Sequence, residues 1–380
     1  MSAPPSEITQ IAIPDTLRPR DGRFGSGPSK VPQAAMAALA DAAPGFMGTS
    51  HRRDGVRSVV RRIRAGIAEL FALPDGYEVL LGNGGSTLFW DAAAFGLIER
   101  RSTHLVLGEF SSKFAAVTRA APHLDDPQVC ETPPGERPQL PDRVEGDVYA
   151  YPHNETSTGV AVEVYRPAGD ALVVVDGTSA AGGMRVDAEN FDVYYFAPQK
   201  CFASDGGMWL ACCSPAALAR IEQLTRDRWT PVTLDLSVAI ENSRLEQTYN
   251  TPALATLFLL DHQLQWMLAN GGMEFSAGRC DASAGILYGW ADSHAHATPF
   301  VTESSARSHV SATIDFDDTV DAAALATALR ANGILDVEPY RKLGRNQLRI
   351  AIFPAIEPDD VERLTRAIDY VVERLGSTAR

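Results

Sequence analysis

Leu172-Val-Val-Val-Asp176 and Val193-Tyr-Tyr-Phe-Ala-Pro-Gln-Lys200 are two short apolar runs, and each closes on a polar residue. Continuous runs of this kind, rich in β-branched and aromatic residues, read as strands buried on both faces. Such strands belong to a mostly parallel sheet sandwiched by helices, where ligands bind beyond the carboxyl ends of the strands. The polar ends, Asp176 and Lys200, are therefore expected side by side at a binding edge.

Their chemistry is specific. A lysine that closes an apolar strand is costly to bury charged, so its pKa falls toward the neutral amine that attacks an aldehyde. A carboxylate on the neighbouring strand complements it. The pair is what pyridoxal 5'-phosphate requires: one lysine for its aldehyde and one acid to keep its ring nitrogen protonated.

Outward from this pair, strands are expected at Tyr77–Leu81, His104–Leu107, Val148–Tyr151 and Met208–Cys212, with helices near 54–71, 86–99, 111–121 and 215–225. The alternation defines an α/β unit with right-handed crossovers. Residues 122–146, proline-rich and aperiodic, read as a long surface connection. After an apolar helix from Pro252 the pattern changes to helix, strand His309–Phe316, helix 321–332, strand Gln347–Phe353 and helix 358–375, a smaller α+β domain. Gly271-Gly272 marks the change. The expected division is an N-terminal segment 1–24 packing with the small domain, a large cofactor-binding domain 25–270 and a C-terminal domain 271–380.

Several strand ends carry candidate ligands. Leu80-Leu-Gly-Asn-Gly-Gly-Ser-Thr87 runs from a strand through glycines into a helix, so the amides of Gly84, Gly85, Ser86 and Thr87 suit an anion. A plain strand-to-helix turn explains the same residues. Phe110, after Gly108-Glu109, is placed to lie on a planar ring, although an isolated phenylalanine is more often core. Tyr151-Pro-His-Asn-Glu-Thr-Ser-Thr-Gly159 supplies Asn154 and Thr156 as hydrogen-bond donors, with Asx and Ser/Thr turns as the alternative.

Cationic residues gather at two places. The run from His51 to Arg64 holds six arginines; Val56, Val59, Val60 and Ile63 make a helical stripe, so most of these arginines face solvent. His51 and Arg52 precede the helix and suit a phosphate or carboxylate. Near the other end Tyr340-Arg-Lys-Leu-Gly-Arg-Asn-Gln-Leu-Arg349 offers Arg341, Lys342, Arg345 and Arg349. Arg349 alternates with Leu348 and Ile350 and so faces away from them, toward the cleft.

The net charge of −14 disfavours nucleic-acid or anionic-membrane binding. Five cysteines without paired spacing argue against a zinc site or a disulfide framework and for a reducing cytoplasm. Residues 1–20 lack signal-peptide character, and no stretch reaches the length of a membrane span, so a cytoplasmic protein is expected.

Assembled, these motifs resemble fold type I of the pyridoxal-phosphate enzymes, the aspartate-aminotransferase-like fold, and within it the class-V family of phosphoserine aminotransferases. Arg23-Phe-Gly-Ser-Gly-Pro-Ser29, Gly48-Thr-Ser-His-Arg52, Gly84-Gly-Ser-Thr87, Asn154-Glu-Thr156, Asp176-Gly-Thr-Ser179, Gln199-Lys200 and Asn250-Thr-Pro252 match that family's segments in order. The resemblance implies that Lys200 holds the cofactor, Asp176 pairs with its ring nitrogen and Thr156 contacts its phenolate. It places Gly85, Ser86, Thr87 and Gln199 around the phosphate, joined by Asn250 and Thr251 of a second subunit in a homodimer with shared active sites. His51 and Arg52 would bind a substrate phosphate and Arg349 the α-carboxylate, with Arg341, Lys342 and Arg345 as further candidates. Two departures stand out: Phe110 where the family has tryptophan, and Arg341-Lys342 where it has a His-Arg pair. The implied reaction is reversible amino transfer between L-glutamate and the phosphorylated keto acid 3-phosphohydroxypyruvate, giving O-phospho-L-serine and 2-oxoglutarate in serine biosynthesis. The alternatives are a serine-glyoxylate type aminotransferase or a cysteine desulfurase within the fold, and a non-catalytic sensor that keeps the fold and cofactor but has lost turnover.

Overall fold

The computed structural model describes residues 8–378. The helices are α1 (Gln33–Phe46), α2 (Asp54–Leu70), α3 (Ser86–Gly96), α4 (Glu109–Ala120), α5 (Pro215–Asp227), α6 (Leu236–Arg244), α7 (Leu254–Ala269), α8 (Gly272–Ser293), α9 (Ala322–Ala331) and α10 (Pro358–Thr378). The strands are β1 (Glu78–Asn83), β2 (Ser102–Val106), β3 (Gln128–Glu131), β4 (Val148–Pro152), β5 (Asn154–Glu155), β6 (Val160–Ala161), β7 (Leu172–Asp176), β8 (Val193–Phe196), β9 (Met208–Cys213), β10 (Ala297–Pro299), β11 (Ser311–Phe316) and β12 (Gln347–Ala351).

Seven strands form the main sheet in the order β1-β9-β8-β7-β4-β2-β3. β9 alone runs against its neighbours, pairing antiparallel with β1 and β8, while β8, β7, β4, β2 and β3 pair in parallel. The register sets Asp176 opposite Pro152 on one side and Tyr195 on the other. Asn83 lies opposite Met208, so the carboxyl end of β1 meets the start of β9 at the same edge.

Side-chain alternation splits the core into two layers. Val173 and Val175 pack with Val56, Val60, Ile63, Leu257 and Leu264 of α2 and α7. Leu172 and Val174 pack on the other face with Phe89, Phe114, Ile221 and Leu236 of α3 to α6. The arginine-rich α2 thus forms because its valine and isoleucine stripe is buried while its arginines point outward. Ile63 is fully buried, and an alanine there would cost about 2–5 kcal/mol.

The three-stranded sheet β10-β11-β12 packs with α8, α9 and α10 around a third core that also takes in Ile8, Ile13 and Phe24. The early backbone is stitched to this unit: Phe24 donates to Leu335 O at 3.2 Å, and Ala351 donates to Phe24 O at 2.9 Å. Residues 1–7 of the expected N-terminal segment and the last two residues lie outside the described chain. Gly271 and Gly272, at φ 118° and 65°, separate α7 from α8, a conformation that glycine adopts without strain.

One expectation is corrected. The stretch 122–146 is not all surface connection, because Gln128–Glu131 forms edge strand β3. That run is short and half-buried, so it carries no apolar signature.

Candidate active site

Where β1, β4, β7 and β8 end, a pocket of about 350 Å³ opens, lined by Gly84, Gly85, Ser86, Thr87, Phe110, Asn154, Thr156, Asp176, Gln199 and Lys200, with Gly27 and Trp90 beside them. From Gly27 to Lys200 these residues are spread widely along the sequence, and sheet topology collects them.

Lys200 follows β8 and is held from above. Its Nζ donates to the backbone oxygen of Ser26, and the chain comes so close that a Cβ on Gly27 would lie 2.3 Å from Nζ. A side chain at Gly27 would push the Lys200 amine aside, and the φ of 149° there favours glycine. Burial, reinforced by the charge of Arg349, pushes the lysine pKa down to about 8.

Asp176 closes β7 beneath the same pocket. Thr178 N–H donates to its Oδ1 at 2.8 Å. The fully buried Tyr195 hydroxyl accepts from Trp90 Nε1 at 2.9 Å and, beside Asp176 in the sheet register, helps to lower the pKa of that carboxylate. Burial raises the aspartate pKa, against the pull of these two residues. A buried carboxylate of that kind is relieved by a cation beside it.

The third wall is built from one buried acid. Glu155 is completely buried, and its carboxylate accepts from Phe110 N–H at 3.3 Å, Ser111 N–H at 3.0 Å, Ser111 Oγ at 2.8 Å and Ser157 Oγ at 2.6 Å. It caps α4 and so fixes Phe110 at the pocket wall. Gly108 is forced by the same packing, since a Cβ there would meet Ser157 Oγ at 2.5 Å.

Opposite Phe110, Gly85 takes φ 109° and leads into α3, whose first turn has no side-chain cap. Ser86 Oγ lies 2.6 Å from Thr178 Oγ1, and Gly84 N–H bonds to Gly207 O at 3.0 Å. This cradle presents uncapped amides and hydroxyls to an anion. Asn154 Oδ1 and Gln199 Oε1 are buried without a partner. A ring wall, an anion cradle, a depressed lysine and a buried acid fit pyridoxal phosphate in shape and in charge.

The substrate candidates divide by position. Arg349 is partly buried and donates from Nη1 to Thr156 O at 3.4 Å, while its Nε has no partner. Among the described residues it makes no ion pair. Arg345 is turned away, paired with Asp315 and stacked 4.4 Å over Phe300. Lys342 pairs with Glu109, and Arg341 stands in a short 3-10 turn, exposed.

His51, Arg52, Asn250 and Thr251 lie outside this pocket's lining. Thr251 links them to it: its oxygen accepts from Asn83 Nδ2 at 3.2 Å, and its hydroxyl lies 3.3 Å from His51 Nδ1. Burial lowers the pKa of His51, and its Nε2 has no partner. Asn250 and Tyr249 line the next groove, beside Asn83, Trp209 and Val232. Val232 and Tyr249 are exposed there, and Trp229 is 82% exposed.

Sequence reasoning missed four contributors: Glu155, Tyr195, Tyr340 and the Ser26-Gly27 ceiling. Only Gly25-Ser-Gly-Pro28 carried a signal, because glycines around a serine mark a close backbone approach. Tyr195 inside an apolar strand is indistinguishable from core.

The Aminotransferase class-V family model matches residues 23–336. A protein of Rhodococcus jostii (strain RHA1) named phosphoserine aminotransferase is 54% identical over 367 residues, 96% of this chain and 98% of that one. A Mycobacterium leprae (strain TN) protein named for the same activity is 58% identical over 368 residues, covering 96% and 98%. Among solved structures, a phosphoserine aminotransferase from Cytophaga hutchinsonii superimposes with a TM-score of 0.84 over 92% of this chain and 99% of its own, at 22% identity.

Proposed function

This chain belongs to the class-V aminotransferase family, and we propose from that premise that it catalyses reversible amino transfer between L-glutamate and 3-phosphohydroxypyruvate, yielding 2-oxoglutarate and O-phospho-L-serine. The observation that carries the reading is Lys200, held near neutrality by burial and by the charge of a partly buried Arg349 that makes no ion pair among the described residues. The substrate pair is narrowed by identities of 54–58% to proteins named for that reaction.

Pyridoxal phosphate, when bound, supplies an aldehyde that takes up the amino group and a protonated ring that absorbs the electrons released at Cα. Lys200 would carry it, Asp176 would hold the proton on the ring nitrogen, and Phe110 would cover the ring. Gly85, Ser86, Thr87 and Gln199 would cradle the phosphate, with Thr156 and Asn154 at the phenolic oxygen. Tyr195 and Thr178 hold the Asp176 carboxylate in place. Lys200 Nζ, neutral in a substantial fraction near pH 8, takes the proton from substrate Cα. Arg349 binds the α-carboxylate and orients Cα toward that amine. Ser26 and Gly27 close the lysine's far side against water.

The remaining assignments rest on a proposed homodimer. Thr251 touches His51, the neighbour of Arg52, and Asn250 shares a groove with exposed Val232 and Tyr249, where a second copy would complete the anion-binding set. Arg52 and His51 would then grip the substrate phosphate. The units proposed are 25–270 and 271–380, with 1–24 packing on the latter, supported by Phe24 in the small-sheet core. A cytoplasmic setting suits five unpaired thiols. No described helix is long and apolar enough to cross a membrane.

The desulfurase alternative needs a reactive cysteine. Cys201 is fully buried, donates to Ser179 O, and has its thiol pKa pushed well up by burial. Initial rates with phosphohydroxypyruvate, glyoxylate and pyruvate as acceptors test the substrate. Strong preference for the phosphorylated acid is expected; preference for glyoxylate would replace the reading.

A further inference from the structure

Arg349 is poorly fixed by hydrogen bonds. A guanidinium carries five N–H groups in a rigid fork, yet its one bond to the protein is the 3.4 Å contact to Thr156 O, and Nε is buried without a partner. What orients it is an aromatic face: its Cζ lies 5.3 Å from the centroid of Tyr340. On its other side the Tyr340 ring meets Phe110, centroids 6.0 Å apart and planes at 55°. Its hydroxyl makes no hydrogen bond to any described residue. Two positions on, Lys342 pairs with Glu109, the residue before Phe110. The 340–342 segment is thus fastened twice to the start of α4, and Tyr340 bridges the cofactor wall on the main sheet to Arg349 on β12.

We propose that Tyr340 is a positioning residue that sets substrate affinity: its ring face holds the Arg349 guanidinium in the orientation that receives the substrate carboxylate, and its contact with Phe110 ties that orientation to the cofactor wall. The inference rests on Arg349 being the carboxylate ligand, as proposed above. A ring face beneath a guanidinium stabilises it without consuming any of its N–H groups, so the whole fork stays available to the ligand. Every substrate binds through the same carboxylate, so both half-reactions depend on Tyr340 alike. The proton step at Lys200 does not involve it.

The test uses holoenzyme of Tyr340→Leu, Tyr340→Phe and Arg349→Ala, with steady-state kinetics for both substrates and equilibrium titration with maleate, an unreactive dicarboxylate, followed by the absorbance of bound cofactor. Tyr340→Leu should raise both KM values and the maleate Kd by roughly tenfold, the range of a partly desolvated cation–π contact, while kcat stays within about twofold. Tyr340→Phe keeps the ring face and should behave as wild type. Unchanged KM and Kd in Tyr340→Leu, a fall in kcat alone, or equal damage in Tyr340→Phe overturns the proposal. If Tyr340→Leu fails to bind cofactor, Tyr340→Met, which keeps the bulk without the ring, decides by the same outcomes. Arg349→Ala separates the two readings. Intact maleate binding in that variant removes the carboxylate assignment itself, whereas lost binding there with normal binding in Tyr340→Leu removes only the role of Tyr340.

Discussion

Glu155 and Ser111 are joined twice, through the serine N–H at 3.0 Å and its hydroxyl at 2.8 Å. A wholly buried carboxylate thereby becomes the anchor of α4 and of Phe110 one residue earlier. Glu155→Ala leaves these donors buried and unpaired, which should cost about 2 kcal/mol of stability, or more. It should also weaken pyridoxal phosphate binding by roughly tenfold, that same order of energy expressed at the ring wall. Thermal unfolding with cofactor titration checks both, and Glu155→Gln should recover part of each loss.

Lys200 is the group on which the cofactor assignment turns. Borohydride reduction of the holoenzyme followed by peptide mapping should place the pyridoxyl label on Lys200 and nowhere else. Lys200→Ala should lose transamination while still binding the cofactor through the α3 cradle and Phe110.

The folded-state pKa of Lys200, about 8, lies below the ordinary lysine value of 10.5. The folded protein therefore binds fewer protons than the unfolded chain between these values, and the lysine's contribution to stability improves as pH rises through that window. The reactive form is the neutral amine. Apoenzyme should take up pyridoxal phosphate faster as pH rises through about 8, read by stopped-flow absorbance. The rise should level off above about 8, and a rate that keeps climbing toward the ordinary lysine range would show that Lys200 is not depressed.

Arg52 is exposed and, among the described residues, forms no ion pair. Arg52→Ala should raise KM for the phosphorylated keto acid by at least roughly tenfold, the loss of one charge-assisted contact of about 1.5–3 kcal/mol, with a smaller effect on glutamate. Folding stability should hardly change, because nothing in the protein leans on that side chain. Equal effects on both substrates would move the phosphate site elsewhere.

Much of this site was legible because its chemistry sits where strands stop. An apolar run that ends in Asp176 or Lys200 announces both a strand and a buried polar group, and glycines before Ser86 announce a helix start. Other features had no such signal. Strand direction is not written in hydrophobic periodicity, so the reversal of β9 appeared only in the register of Asn83 against Met208. Edge strand β3 has no buried face to pattern. Tyr195 and Tyr340 look like ordinary core or loop aromatics until their neighbours, Asp176 and Arg349, are placed beside them by tertiary packing. Glu155 was visible as a letter in Asn-Glu-Thr, but its role as anchor follows from α4 lying above β5, a contact between residues more than forty positions apart.

The ceiling over Lys200 has a temporal meaning. Ser26 and Gly27 are held in place by Phe24, whose backbone partners are Leu335 and Ala351. During synthesis, the main sheet and its lysine emerge long before β12, and until then the Phe24 backbone does not have both of these partners. The Lys200 amine gains this part of its shelter only after Leu335 and Ala351 have been made, and a polypeptide that breaks off before Ala351 would lack the second tie that holds the ceiling through Phe24.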